Sequence, residues 1–147
     1  MITWLRIGVI AVTLSAVTLI LLPVQLVGLA FDLRIRRSVP RLWHRAACRL
    51  LGIRIHPHGT PDKRRPLMLA ANHASWKDIL VLGAIADVAF IAKSEVADWP
   101  VFGHLAKLQK SIFVAREQKR QAGAQVGEIA ERMKAGEIVV LFPEGVR

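Results

Sequence analysis

Cysteine is almost absent from this chain: Cys48 is the one cysteine in 147 residues. An intrachain disulfide is thereby excluded, and so is a cysteine-rich zinc site; the usage fits a reducing compartment. Charge is absent from the front. No Asp, Glu, Lys or Arg occurs between Ile7 and Phe31, and about 20 apolar residues suffice for a helix to cross a bilayer. The run is longer than the apolar region of a cleaved signal peptide, about 7–15 residues. Residues 1–31 therefore read as a retained membrane helix, with Pro23 as a point where it would kink or turn back. Acidic residues are scarce, eleven against 21 basic ones, for a formal net charge of +10. No zinc-finger, RNP or heptad-linked basic signature accompanies that excess, so nucleic acid is not the expected partner.

What is present begins with arginine. Arg34, Arg36, Arg37, Arg41, Arg45 and Arg49 follow the apolar run, while only Arg6 precedes it. The positive-inside rule then places everything after Phe31 in the cytoplasm, on the inner face of the cell's inner membrane. Each arginine near anionic headgroups adds about 1 kcal/mol of attraction, so a phospholipid membrane is the first partner expected. Residues 32–51 read as an amphipathic helix on the membrane surface. Trp43, Ala46, Ala47 and Leu50 share one face at i, i+3, i+4 and i+7; a linker with scattered charges is the alternative.

From residue 52 onward, strand and helix patterns alternate. Strands are expected at 52–57 (GIRIHP), 67–71, 88–93, 111–116 and 138–142, with a turn-rich loop at 58–66. Helices are expected from Ser75 to about Ala86 and from Asp98, as cap, to about Leu108. A further helix carries Ala122, Val126, Ile129, Ala130 and Met133 on one face and ends at Gly136. This order predicts an α/β fold with a mostly parallel sheet and flanking helices, preceded by the membrane helix. In open sheets of this kind, ligands bind beyond the carboxyl ends of the strands.

Several of those strand ends carry chemistry. In NHASWKD (72–78), Ser75 and Asp78 match a capping box with Asp in place of Glu, which needs no function. His73, however, precedes the helix at the mouth of a strand, and a carboxylate in the first helical turn can reach its ring. Such a pair fixes the imidazole tautomer and leaves the other nitrogen to take a proton from a hydroxyl. Arg116 ends SIFVAR, and the strand at 138–142 runs into Pro143, Glu144, Gly145 and Arg147. A surface arginine and a plain strand exit are the simpler readings of those two stretches. Gly145 permits close backbone approach, Arg147 can grip a phosphate through two hydrogen bonds, and Lys93 ends a fourth strand. Together, a base with its carboxylate beside several fixed cations suits an alcohol that carries a phosphate.

These stretches resemble the motifs of the glycerolipid acyltransferases. NHASWKD is similar to their His-x4-Asp motif, FPEGVR to Phe-Pro-Glu-Gly-Thr-Arg, and SIFVAR to their Ile-Phe-x-x-Arg block. AKSEVADWPVFGHL is similar to the connecting stretch of the bacterial 1-acylglycerol-3-phosphate acyltransferases. The resemblance covers about residues 52–147. It implies transfer of a fatty acyl group from a thioester, acyl-coenzyme A or acyl carrier protein, to a glycerol hydroxyl, with no metal or prosthetic group. It implies that His73 is the base, that Asp78 orients it, and that Ser75 remains a cap. Arg116, Arg147 and Gly145 would bind the acceptor phosphate, with Glu144 organising the pocket and Lys93 a further contact.

The acceptor expected first is lysophosphatidic acid, acylated to phosphatidic acid. Two departures bear on that choice. Lys110 stands where the family usually has glycine, three residues before Phe113, and Val146 replaces the usual threonine. A lyso-ornithine lipid or related aminolipid, which offers a hydroxyl but no phosphate, is the rival acceptor. Family members also continue past the third motif. The acyltransferase domain, 52–147, therefore reads as C-terminally truncated, and an inactive lipid-binding remnant is the other alternative.

Overall fold

A computed structural model describes residues 2–60, 62–115 and 122–143. The chain folds as two compact units, one formed by Met1–His58 with Trp76–Asp87, the other by Gly59–Ser75 with Val88–Arg147.

The first unit is helical. Helix α1 runs Ile2–Ala30 and continues through Pro23; residues Thr3–Ala30 are long and apolar enough to cross a membrane. Helix α2, Ile35–Leu51, ends at Gly52 in the left-handed conformation (φ 71°). The two helices run antiparallel. Trp43 Nε1 donates to Thr18 Oγ1 (2.8 Å), and Gln25 Nε2 donates to the Arg36 carbonyl (3.1 Å). Gly28 allows the close approach at their junction, because a Cβ there would lie 3.1 Å from the Arg36 amide nitrogen. Helix α3, Lys77–Ile85, completes the unit.

Helix α2 forms within the expected span, and two residues of the expected face, Trp43 and Ala47, lie in or against the helical core. Val39, His44, Ala47 and Cys48 are its buried residues. Ala47 and Cys48 pack with Leu80 and Ala84 of α3, and Leu14, Trp43, Leu51, Ile53 and Ile55 close around them. The amphipathic face thus serves the protein's own core. Segment 52–57 is not a strand. Its alternation is real, with Ile53 and Ile55 half-buried and Arg54 and His56 exposed, but the isoleucines cover the helical core and pair with no sheet. The C-terminal end of α3 is held by α2. Arg45 Nε donates to the Ala84 carbonyl (2.9 Å), and Arg41 lies 3.1 Å from the Asp87 carboxylate. Cations at that end also oppose the negative pole of the helix dipole.

The second unit contains the sheet. Strands β1 (Leu67–Ala70), β2 (Val88–Lys93), β3 (Ile112–Val114) and β4 (Ile138–Leu141) are ordered β1-β4-β2-β3. Every pairing is parallel, with Ala70 opposite Leu141, Phe90 opposite Val140, and Lys93 opposite Val114. Ile138, Val139 and Val140 are buried in succession, as a strand covered on both faces requires. Edge strand β1 instead alternates between half-buried and exposed residues. Helix α4 (Phe102–Leu108) and helix α5 (Ala122–Lys134) flank the sheet.

The helix expected from Asp98 to about Leu108 begins later than expected. Ser94–Asp98 forms a 3-10 turn, and α4 starts only at Phe102. The chain breaks at Val101, whose φ is +64°, a conformation costly for a β-branched residue. Lys110 also has a positive φ, +55°. This is the position where the resembled family usually has glycine, and here the positive-φ turn before β3 carries a lysine side chain. Its carbonyl accepts from Arg132 (2.7 Å), and Arg132 also binds the buried Glu137 (2.5 Å). Arg132 of α5 thereby ties the entrance of β3 to the entrance of β4.

Candidate active site

The parallel pairings put the carboxyl ends of all four strands on one side of the second unit. His73 follows β1 on that side. The chain leaves the strand with the Ala71 amide still donating to the Leu141 carbonyl (3.1 Å), so β1 and β4 stay paired up to the point where His73 and Phe142 emerge. The half-buried imidazole stacks on the ring of buried Phe142, with centroids 4.3 Å apart and planes inclined by 28°. Phe142 in turn lies parallel to Phe90 of β2, at 6.3 Å and 5°. A column of three rings thus rises through the strand ends and supports the histidine from below.

Lys93 ends β2 at the same edge and is exposed. Asp78 is half-buried in the first turn of α3, within the helical unit. The expected Ser75 cap is shifted: the cap position is Trp76, with no side-chain capping hydrogen bond. Arg116, Glu144, Gly145 and Arg147 lie outside the described residues. Among the described residues, no three His, Cys, Asp or Glu side chains gather as metal ligands. The thiol of Cys48 is pushed up by burial and lies in the helical core, far from a nucleophile's usual surroundings. Phe142, whose ring stacks on His73, is the residue of this candidate site that sequence reasoning passed over. Its signal was its place at the head of FPEGVR, but a phenylalanine closing an apolar strand reads first as core.

The Acyltransferase family profile matches residues 52–147. The chain belongs to this acyltransferase family. It is 59% identical over 145 residues to a lyso-ornithine lipid O-acyltransferase of Rhizobium meliloti, covering 99% of this chain and 50% of that protein. It is 44% identical to the Brucella abortus protein of the same name, covering 99% of this chain and 54% of that one. A 1-acyl-sn-glycerol-3-phosphate acyltransferase of Neisseria gonorrhoeae is 34% identical over 84 residues, 57% of this chain and 33% of that protein. The chain thus spans about half the length of the first two relatives. No solved structure matches it. Its membership, its parallel α/β sheet and its long apolar N-terminal helix agree with the glycerolipid acyltransferase resemblance.

Proposed function

We propose that this protein is a membrane-associated O-acyltransferase whose acceptor is a lyso-ornithine lipid, in preference to lysophosphatidic acid. The observation that carries the choice is coverage: relatives named for the ornithine lipid align along 99% of this chain at 59% and 44% identity. Relatives named for the glycerol phosphate align over 57% of the chain at 34% and over 67% at 30%. Val146, standing where the resembled family usually has threonine, is a departure in keeping with a different acceptor.

In this reading, His73 removes the proton from the acceptor hydroxyl as its oxygen attacks the carbonyl carbon of an acyl thioester. The new C–O bond forms, the C–S bond breaks, and the thiol of coenzyme A or acyl carrier protein leaves with the proton. No acyl-enzyme and no metal or prosthetic group takes part. Asp78, five residues on, orients the imidazole and stabilises its cation. The Phe142 ring holds the imidazole plane, so the base meets the hydroxyl in one orientation. Ornithine offers a carboxylate in place of a phosphate, and guanidinium groups bind either anion through paired hydrogen bonds. Arg116 and Arg147 are assigned that task, with Gly145 giving close approach, Glu144 fixing the arginines, and Lys93 at the rim. Helix α1 anchors the protein in the inner membrane, and the arginines from Arg34 onward keep the site on the cytoplasmic side.

The test is an acceptor comparison with the protein in membranes. Labelled acyl-coenzyme A and acyl carrier protein are each offered with lyso-ornithine lipid or with lysophosphatidic acid. The reading expects the larger kcat/KM with lyso-ornithine lipid. A preference for lysophosphatidic acid overturns the acceptor assignment and leaves the acyl transfer intact.

A further inference from the structure

Between β2 and α4 the second unit exposes a short apolar knuckle, Trp99-Pro100-Val101-Phe102. Trp99 is 55% exposed, Val101 68% and Phe102 65%, although such side chains are ordinarily used for cores. The knuckle is held in place. Val101 sits at φ +64°, and Gly103 is buried directly against the Ala97 carbonyl, where a Cβ would collide. Strain of this kind persists only where the surroundings enforce it, and it clusters at functional segments.

The fold places the knuckle at the substrate end of the sheet. Gln109, just past α4, donates to the carbonyl of Val88 at the amino end of β2 (3.3 Å). The opposite end of α4, Phe102, therefore rises toward the carboxyl end, about 10 Å away along the helix. His73, Phe142 and Lys93 lie at that end.

We propose that Trp99–Phe102 inserts into the interfacial layer of a phospholipid membrane and sets the carboxyl end of the sheet against the lipid. The three large side chains expose roughly 400 Å², half of the 800 Å² or so per partner that a stable protein interface needs. A second copy of the chain is thus a poor fit. The exposed charges around the base, Lys93, Glu95, Asp98 and Lys107, are two of each sign, so no net field selects an acidic or a basic protein. Tryptophan and phenylalanine without charge between them suit the membrane interface, and the same chain carries α1, a helix apolar enough to enter it. The inference rests on membrane association and is independent of which lipid is acylated.

The test uses Phe102→Cys and, as a second variant, Trp99→Cys, each labelled with an environment-sensitive nitrobenzoxadiazole dye. Cys48 is buried and stays unlabelled in the folded protein. Lys134→Cys, exposed near the amino end of β4, is the control. In phosphatidylcholine–phosphatidylglycerol vesicles, the dye at 102 or 99 shifts to the blue and is quenched by lipids with nitroxides high on the acyl chain, while the dye at 134 does neither. Water-like emission at both knuckle positions in folded protein overturns the proposal. So does a shift that appears only with rising protein concentration or added acyl carrier protein, because that outcome assigns the knuckle to a protein partner. No arm reads enzymatic turnover, so failure here is distinct from failure of the proposed reaction.

Discussion

Replacing Phe142 by leucine removes the flat surface beneath the His73 imidazole while keeping an apolar side chain of similar bulk. An aromatic pair contributes about 0.5–1.5 kcal/mol beyond its buried area. If the whole of that holds the imidazole in its reactive orientation, turnover falls about 2- to 12-fold, since 1.36 kcal/mol is tenfold in rate. The core change itself costs about 1–2 kcal/mol of stability. Phe90→Leu is the matched control. Its ring contacts Phe142 at 6.3 Å, one layer below the 4.3 Å stack on His73, so a similar stability loss is expected with turnover preserved. The assay is initial-rate acyl transfer across pH, together with thermal unfolding of both variants. A positioning role lowers kcat and leaves KM nearly unchanged in the Phe142 variant alone. Wild-type kcat in Phe142→Leu, or equal losses in both variants, refutes the reasoning and reduces the column to packing.

Other consequences follow from single contacts. Gly83→Ala should destabilise the helical unit by about 1–3 kcal/mol, because the added Cβ collides with the ring of buried His44; thermal unfolding measures it. Arg132→Met strands the buried Glu137 carboxylate and should cost about 3–5 kcal/mol, whereas Arg132→Met with Glu137→Gln should recover part of that loss. Lys110→Gly should leave stability unchanged or raise it by up to about 1 kcal/mol, because φ is already +55° there; a clear loss would mean that the lysine side chain contributes more than the turn costs.

The sheet was legible because its strands are short apolar runs bounded by turn residues: β2 falls at Val88–Lys93 as the pattern predicts, and the other three lie inside their expected spans. Strand order was not legible, since β4 sits between β1 and β2 through pairing across most of the chain, which no local pattern records. Ile53 and Ile55 show how periodicity misleads. Two-residue alternation says that one side is covered, but not whether a sheet or a helix covers it. In α2, the spacing of Trp43, Ala46, Ala47 and Leu50 marked a shared face, and the fully buried set is Val39, His44, Ala47 and Cys48. A buried histidine on a helix looks polar in sequence; only Gly83 opposite makes room for it. At the candidate site, His73 was conspicuous because its type and spacing carry chemistry. Phe142 was not, because its contribution is a contact made across the sheet.

The most direct measurement of the central claim is single-turnover acyl transfer from a labelled thioester to lyso-ornithine lipid, comparing the wild-type protein with His73→Ala. The account predicts product with the wild type and a loss of at least about 10²-fold in the variant, with the circular dichroism of the two proteins superimposing. Equal rates in two folded proteins would contradict it, since no other residue has been assigned to take the hydroxyl proton.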